Sequence, residues 1–288
     1  MKKKNLSFWL FLAPALIAFI LVQLIPLLSG IYYSFTNWNG IDSVTVKWTG
    51  LQNYVAAFKD ATFTHSFLFT LKFTILSLIV LNVISFGLAL LVTRKSKLNN
   101  LLRTVFFMPN LIGGLILGFI WQFIFIQVFD ALGRAIHVKW LLGWLSTGNT
   151  GLAGLIIIMA WQMSGYLMVI YISSLENIPA ETLEAAEIDG ANAWQKIKNI
   201  TIPLIRPAFT VSIFLTLSNS FKLYDQNLSL TAGGPAKATE MLAMNIYNTA
   251  FQFNLMGVAQ AKAVIFFLVV AAISLTQVYI SKKGEVEV

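Results

Sequence analysis

The chain has 288 residues, of which 57% are hydrophobic and only 11% charged, whereas a soluble domain carries roughly 25% charged residues. This deficit indicates that a lipid bilayer, and not water, is the main solvent of the folded chain. The net charge of +8 is spread over the ends of apolar runs instead of forming one stripe, so it indicates membrane topology and argues against nucleic acid as a partner.

Long segments without Asp, Glu, Lys or Arg predict the membrane spans, because a helix needs about 20 apolar residues to cross the hydrocarbon core. An irregular backbone cannot face lipid, so six such segments predict six transmembrane helices. The expected fold class is therefore an all-α membrane protein with a single transmembrane domain over residues 1–288. The predicted spans cover residues 8–34, 67–93, 105–129, 151–172, 204–226 and 260–281.

The first span follows three lysines, Lys2 to Lys4, as the apolar segment of a secretory signal peptide would. Its apolar run is too long for a signal peptide, and no small-residue cleavage site follows it. We therefore expect an uncleaved membrane anchor.

The orientation follows from lysine and arginine in the short flanking segments, which are enriched on the cytoplasmic side. One side of the predicted bundle carries the basic residues of segments 2–4, 94–103, 196–206 and 282–283, while the other side has longer loops with sparser positive charge. Both termini and the loop 173–203 are therefore predicted to be cytoplasmic in a multi-pass protein of the cytoplasmic membrane.

The loop 173–203 is polar and rich in helix formers, although it lies between two apolar runs. Pro179 suits the first turn of a helix, and Gly190 stands where that helix should end. Asn192 is positioned to cap a second short helix, which Pro203 ends. Two short helices joined at a glycine are thus expected. The alternative, an amphipathic helix on the membrane surface, is disfavoured because anionic headgroups would repel its acidic residues.

This loop resembles a known signature, the EAA loop of ABC-importer permeases. The matching residues are Glu184, Ala185, Ala186, Gly190, Ile200 and Pro203, with Ile202 where the signature usually has leucine. The resemblance implies that the loop docks into a cleft on an ATP-hydrolysing partner subunit. The residues expected to make this contact are Glu184, Ala185, Ala186, Asp189, Gly190, Ala191 and Pro203.

Other segments resemble one branch of that family, the permeases for sugars and glycerol phosphate. They include residues 11–15, 33–38, 50–54, 230–240 and 246–251. The resemblance implies the fold of a type I ABC importer permease in a bacterial cytoplasmic membrane. It also implies four kinds of contact: a second permease subunit, usually as a heterodimer although a homodimer stays open, two ABC ATPase subunits, an extracytoplasmic substrate-binding protein, and membrane lipid.

The chain lacks the G-x-x-x-x-G-K-[ST] loop that binds nucleotide phosphates, so it is not expected to be an enzyme. ATP and magnesium are expected on the partner ATPase, and no cofactor on this chain. With no cysteine, two histidines (His65 and His137, both predicted in loops) and no carboxylate in the middle of a span, neither a catalytic nor a metal site is predicted.

The path of the solute is predicted from polar residues within the spans. Residues 207–221 are too few to cross, so the fifth helix is expected to continue through Gln226, with Lys222 and Asp225 close enough to pair. The predicted pathway residues are Asn219, Lys222, Tyr224 and Asp225 on this span, and Gln162 and Tyr166 on the fourth. Alternatively, Lys222 extends to the outer headgroups, Asp225 lies in water, and the polar groups of the fourth span only pack helices together.

Asn82 and Gln122 are further polar candidates in the second and third spans. The function expected is a transmembrane subunit of an ATP-driven importer that conducts a mono- or oligosaccharide. An ion-coupled secondary transporter is the alternative, although the sequence lacks a convincing internal repeat and a buried acidic ion site.

Overall fold

The computed structural model describes residues 2–41, 45–94 and 96–283, with side chains from Phe8 onward. Met1, residues 42–44, Lys95 and residues 284–288 lie outside this part, so the basic segments used in the orientation argument are only partly described. The described residues form helices and one isolated β-bridge between Thr36 and Trp48, and no β-strand is assigned within them.

Twelve helices organise the described chain, five of them long and apolar enough to cross a membrane, namely α1, α3, α5, α6 and α12. Single π-helical turns interrupt α1 at Ile20–Leu24 and α5 at Ile124–Val128. The helices are α1 Phe8–Tyr33, α2 Gln52–Lys59, α3 Ala61–Val92, α4 Lys97–Phe107, α5 Gly114–Ala135, α6 Gly148–Glu176, α7 Ala180–Ile188, α8 Ala193–Leu204, α9 Arg206–Phe221, α10 Asp225–Leu230, α11 Leu242–Phe251 and α12 Met256–Lys282. The predicted all-α membrane fold is confirmed.

The fifth span in chain order is a bent pair of helices, α8 and α9, whose axes meet at 72°. Pro207 explains the bend, because it has no N–H to donate to the carbonyl of Pro203 and its ring clashes with that carbonyl. Counted as one span, the pair brings the number of candidate spans to six.

The structure corrects the prediction that the fifth helix continues through Gln226. The helix α9 ends at Phe221, and a new helix, α10, begins at Asp225. The chain breaks because Leu223 turns into the apolar core, while α10 packs closely on α5. Ser229 of α10 touches Gly118 so closely that any Cβ at that glycine would collide with it. Tertiary packing thus overrides the continuation that span length alone suggested.

The second span begins further toward the N-terminus than its apolar run suggests. Asp60 accepts hydrogen bonds from the backbone N–H of Thr62 (2.8 Å) and from its hydroxyl (2.7 Å), so it caps α3. His65, predicted in a loop, therefore lies in the second turn of this helix. The side-chain cap, which apolar periodicity does not detect, accounts for the difference.

Residue contacts divide the chain into two compact units, Met1–Thr64 with Asn245–Leu268, and His65–Met244 with Val269–Val288. In the first unit the ammonium group of Lys262 is buried, with 2% of its side chain exposed. It donates to Asp60 Oδ2 (2.7 Å), Asn245 Oδ1 (2.9 Å) and Thr249 Oγ1 (2.8 Å), and lies 5.3 Å from the ring centroid of Phe63. A buried charge with this many partners is held in one geometry.

The second unit contains two apolar clusters, one around Phe73, Leu155 and Phe125 and the other around Met168 and Tyr171. A buried polar group joins three of its helices. The side-chain oxygen of Asn82 accepts from Tyr171 and from Ser212, both at 2.7 Å, and its nitrogen donates to Leu78 O at 2.7 Å. Asn82 therefore packs helices together, and it is 8% exposed, which removes it from the candidates for a solute path.

Gly165 brings α6 against the backbone of α4. A Cβ at this position would overlap the carbonyl of Phe106 and the nitrogen of Phe107, neither of which belongs to a flexible side chain. We expect Gly165→Ala to lower the free energy of unfolding of the second unit by about 3 kcal/mol, measured by thermal unfolding in detergent. Gly87→Ala in α3 is the matched control, because a Cβ there meets nothing within 4 Å, and it should be neutral or slightly stabilising. Equal stability of the two variants would contradict this packing.

Candidate functional sites

The loop between α6 and α9 folds into two helices that meet at Gly190. Gly190 has a φ of +79°, its N–H donates to Glu187 O (3.0 Å), and the N–H of Ala191 donates to Ala186 O (2.9 Å). This pair of bonds is a Schellman motif, in which a left-handed residue closes the helix end. The predicted helix, glycine and second helix are therefore all present in the loop.

The second helix, α8, starts from a reciprocal capping box. The backbone N–H of Gln195 donates to Asn192 Oδ1 (2.9 Å), and the N–H of Asn192 donates to Gln195 Oε1 (2.8 Å). An ion pair between Glu187 and Lys196 then joins α7 to α8. The hydrogen bond and charge of Lys196 lower the pKa of Glu187, so the pair stays charged at neutral pH. These contacts set the angle between the two short helices.

Most residues predicted to meet an ATPase lie on the surface of this loop. Glu184, Ala185, Asp189 and Gly190 are exposed, while Ala191 and Pro203 are half-buried. Ala186 is buried within the chain, so its methyl group is not available to a partner.

Two large apolar side chains flank the turn at Gly190 between α7 and α8, here called the glycine turn, and project into solvent. Ile188 is 87% exposed and Trp194 is 68% exposed. Neither residue is predicted as a site residue from the sequence. The sequence does contain a signal for this surface. An isoleucine and a tryptophan stand on either side of a polar turn, where solvation alone would favour polar residues.

A second site is a polar cavity of about 390 Å³ in the second unit. Residues 159, 162, 163 and 166 line it at the spacing of one face of α6, and residues 215 and 219 at the spacing of one face of α9, with residue 222 directly after the end of that helix. The complete lining is Asn110, Met159, Gln162, Met163, Tyr166, Leu215, Asn219, Lys222, Leu223 and Gln226.

A chain of amide hydrogen bonds fixes one wall of this cavity. Gln162 Nε2 donates to the carbonyl of Ile112 (2.9 Å), and Gln162 Oε1 accepts from Gln226 Nε2 (2.7 Å). The backbone contact sets the orientation of the Gln162 amide, which in turn orients Gln226. Gln226 was expected only as part of a longer α9 and was not predicted as a site residue. It reaches the cavity because α9 breaks and α10 turns back toward α6.

Several other lining groups have no hydrogen-bond partner in the described part of the chain. They are the Asn110 amide, the Tyr166 hydroxyl, the Lys222 ammonium and Gln226 Oε1, while Asn219 donates only to Leu215 O at 2.8 Å. Lys222 is the one charged residue in this lining. The cavity therefore offers donors and acceptors to a solute rich in hydroxyl groups, together with apolar contacts from Met159 and Met163.

The structure brings together four of the six predicted pathway residues, Gln162, Tyr166, Asn219 and Lys222. Tyr224 and Asp225 are not in the lining of this cavity. The predicted pairing of Lys222 with Asp225 is wrong for this structure, since the two described side chains form no ion pair. Its premise was one continuous helix, whereas the chain leaves the helix at Lys222 and starts a new one at Asp225.

Both candidate sites lie in the part of the chain that matches a known protein family. Residues 82–284 match the family described as "Binding-protein-dependent transport system inner membrane component". This match spans more than half of the chain, including the glycine turn and the cavity. The chain belongs to this family.

The permease is similar over nearly its whole length to curated relatives. It is 56% identical to the "Probable starch degradation products transport system permease protein AmyD" of Thermoanaerobacterium thermosulfurigenes, covering 99% of this chain and 97% of the relative. It is 32% identical to the "Multiple sugar-binding transport system permease protein MsmF" of Streptococcus mutans, covering 96% of both chains. The resemblance inferred from the EAA loop is thereby confirmed.

Solved structures support the fold of the permease. A chain of a bacterial ABC transporter involved in the import of alginate matches with a TM-score of 0.83 at 20% identity, covering 98% of this chain and 96% of that one. The same transporter type, in complex with an alginate pentasaccharide-bound periplasmic protein, matches with a TM-score of 0.84. The permease therefore has the type I ABC importer permease fold, and its family makes it a membrane-spanning transport subunit.

Proposed function

We propose that this permease is the transmembrane subunit of an ATP-driven importer that conducts a carbohydrate across a bacterial cytoplasmic membrane. The relatives named above are described as a probable permease for starch degradation products and a permease of a multiple sugar-binding system, which supports a neutral oligosaccharide as the solute. The observation that carries the proposal is the cavity of about 390 Å³, whose lining holds uncommitted amide, hydroxyl and ammonium groups beside the spans α6 and α9. Each sugar hydroxyl that leaves water needs such a group to replace its lost hydrogen bonds.

The cavity residues have distinct proposed roles. Gln226 Oε1 and the Asn110 and Asn219 amides bind hydroxyl groups of the solute, and Tyr166 contributes an aromatic face and a hydroxyl group. Lys222 donates hydrogen bonds to sugar oxygens. Gln162 is proposed to position another residue instead of binding the solute, because its amide holds Gln226 in place. Tyr224 and Asp225 remain proposed pathway residues outside this cavity.

The driving force is proposed to come from separate subunits. Two ABC ATPases bind ATP and magnesium and dock on the glycine turn between α7 and α8, where Ile188 and Trp194 are the proposed apolar anchors. A second permease, as a heterodimer or a homodimer, completes the path, and an extracytoplasmic binding protein delivers the solute. This assignment places the loop and both termini in the cytoplasm, in agreement with the basic residues of the short flanking segments.

Tyr166→Phe tests the role of the cavity with little risk to folding. The Tyr166 hydroxyl has no partner within the described chain, so its removal costs the fold nothing, while a bound solute loses one hydrogen bond. We expect the KM for malto-oligosaccharide uptake by the complete transporter in proteoliposomes to rise roughly 2- to 10-fold.

Tyr279→Phe is the matched control, because Tyr279 is 63% exposed on α12 and outside the cavity. Uptake by the control should equal that of the unaltered protein, should require ATP and should persist when ion gradients are dissipated. Unchanged uptake by Tyr166→Phe would show that the solute does not bind in this cavity. Uptake that depends on an ion gradient would contradict the proposal that ATP drives transport.

A further inference from the structure

A smaller cavity, of about 240 Å³, lies where α9 begins and α12 ends. It belongs entirely to the second unit and shares no residue with the cavity proposed to bind solute. Its lining is Arg206, Phe209, Thr210, Ile213, Ile280 and Ser281.

The polar half of this cavity carries positive charge and a hydroxyl donor. Arg206 is exposed at the first turn of α9, and its guanidinium has five N–H donors suited to phosphate oxygens. Ser281 Oγ accepts a hydrogen bond from Gln277 Nε2 at 3.0 Å, which leaves the Ser281 O–H as a donor. Lys282 follows directly in the chain and is also exposed. No carboxylate lines the cavity, so its described lining has a net positive charge.

The other half is apolar, formed by Phe209, Ile213 and Ile280. A free inorganic anion would gain nothing from these side chains, whereas a ligand with a charged phosphate and an apolar body would bury both parts. Basic cavities between the ends of membrane helices are suited to such lipid headgroups. The cavity lies at a helix end that the charge pattern assigns to the cytoplasmic leaflet, where anionic phospholipids present this chemistry.

We propose that this cavity binds the phosphate headgroup of an anionic phospholipid. Arg206 and the Ser281 hydroxyl bind the phosphate oxygens, and Phe209, Ile213 and Ile280 contact the glycerol and the first acyl carbons. Arg206 follows the 72° bend between α8 and α9 directly, so a bound lipid holds the chain at the bend that connects the glycine turn to the fifth span. The site does not depend on the identity of the transported solute.

The test uses the complete transporter in nanodiscs that contain phosphatidylglycerol and phosphatidylcholine, followed by native mass spectrometry of the lipids that stay bound. We expect Arg206→Gln to reduce the retained phosphatidylglycerol roughly fivefold, the contribution of one basic residue at an anionic surface. Ser281→Ala should reduce the retained phosphatidylglycerol less. Because this variant removes a single hydroxyl group, it is expected to fold normally and tests the site even if Arg206→Gln misfolds.

Lys198→Gln is the matched control, since Lys198 is an exposed basic residue of α8 outside this cavity. It should leave retention unchanged. Equal losses in Arg206→Gln and Lys198→Gln would show only diffuse attraction to the membrane surface and would overturn the proposal. Inorganic phosphate in large excess should not displace the lipid, and displacement would assign the cavity to a free anion instead.

Discussion

Gly190→Val is expected to abolish association of the permease with its ATPase while leaving membrane insertion intact. The φ of +79° at Gly190 disfavours a β-branched residue, although nothing lies within 4 Å of a Cβ at this position. The cost therefore comes from backbone strain and not from a collision. Relief of that strain breaks the Schellman bond from Ala191 to Ala186 and swings α8 away from α7, which changes the position of Trp194 relative to Ile188. Co-purification of the tagged permease with its ATPase measures the effect.

Gly190→Asn is the control, because asparagine tolerates the left-handed conformation much better than valine does. It should retain most of the ATPase and most of the ATP-dependent uptake. Both variants should unfold thermally near the temperature of the unaltered permease, since the loop lies outside the two apolar clusters. A Gly190→Val permease that co-purifies with the ATPase at normal yield would show that docking does not depend on this turn.

Asp60→Asn should destabilise the first unit by about 3 kcal/mol, because it leaves the Lys262 ammonium group buried without its anionic partner. The value is set at the lower end of the range for buried pairs, since about a third of the Asp60 side chain is exposed. Asparagine can still cap α3, so the measured loss of stability reports the removal of the carboxylate charge and not the loss of the cap. We expect the unfolding temperature in detergent to fall by roughly 5–10 °C.

The double variant Asp60→Asn with Lys262→Met provides the control, because it removes both charges together. It should recover to within about 1 kcal/mol of the unaltered permease, as is common when a buried ion pair is replaced by apolar groups. A double variant less stable than Asp60→Asn alone would show that Lys262 acts through packing and not through its charge.

The pH dependence of this pair follows from the pKa of Asp60. Partial burial raises that pKa, but hydrogen bonds from Lys262 and Thr62 and the charge of Lys262 outweigh it, and the value falls from 3.8 to about 2. A lowered pKa in the folded state stabilises the protein fully above 3.8, and this contribution is lost as pH falls toward 2. The stability difference between Asp60→Asn and the unaltered permease should therefore be constant between pH 5 and 8.

The glycine turn shows how far local sequence rules reach. Gly190, Asn192 and Gln195 satisfy the ends of their helices through bonds to residues at most five positions away. Such bonds depend on neighbouring residues in the chain, so the sequence predicted both short helices and the glycine between them. Burial of Ala186 and exposure of Ile188 depend on how the two helices fold together, and these the sequence did not predict.

The cavity has a different origin. Gln162, Tyr166, Asn219 and Lys222 were identifiable because polar residues within apolar spans are costly and rarely incidental. Gln226 was missed because its position depends on a break in α9, and the break depends on Leu223 entering the core and on Ser229 fitting against Gly118. Asn82 was considered for the path on the same polar criterion, yet its partners Tyr171 and Ser212 lie 89 and 130 residues further along the chain.

The sequence alone determined that the chain is an all-α membrane protein with six spans and a two-helix polar loop. Those properties depend on apolar length, charge position and local capping, all of which act over a few helical turns. Only the tertiary structure decided where α9 ends, which polar groups face the cavity, and how Lys262 is neutralised by Asp60, which lies 202 residues away. Contacts of that kind depend on the close packing of distant segments, and no local pattern encodes which segment a side chain will meet.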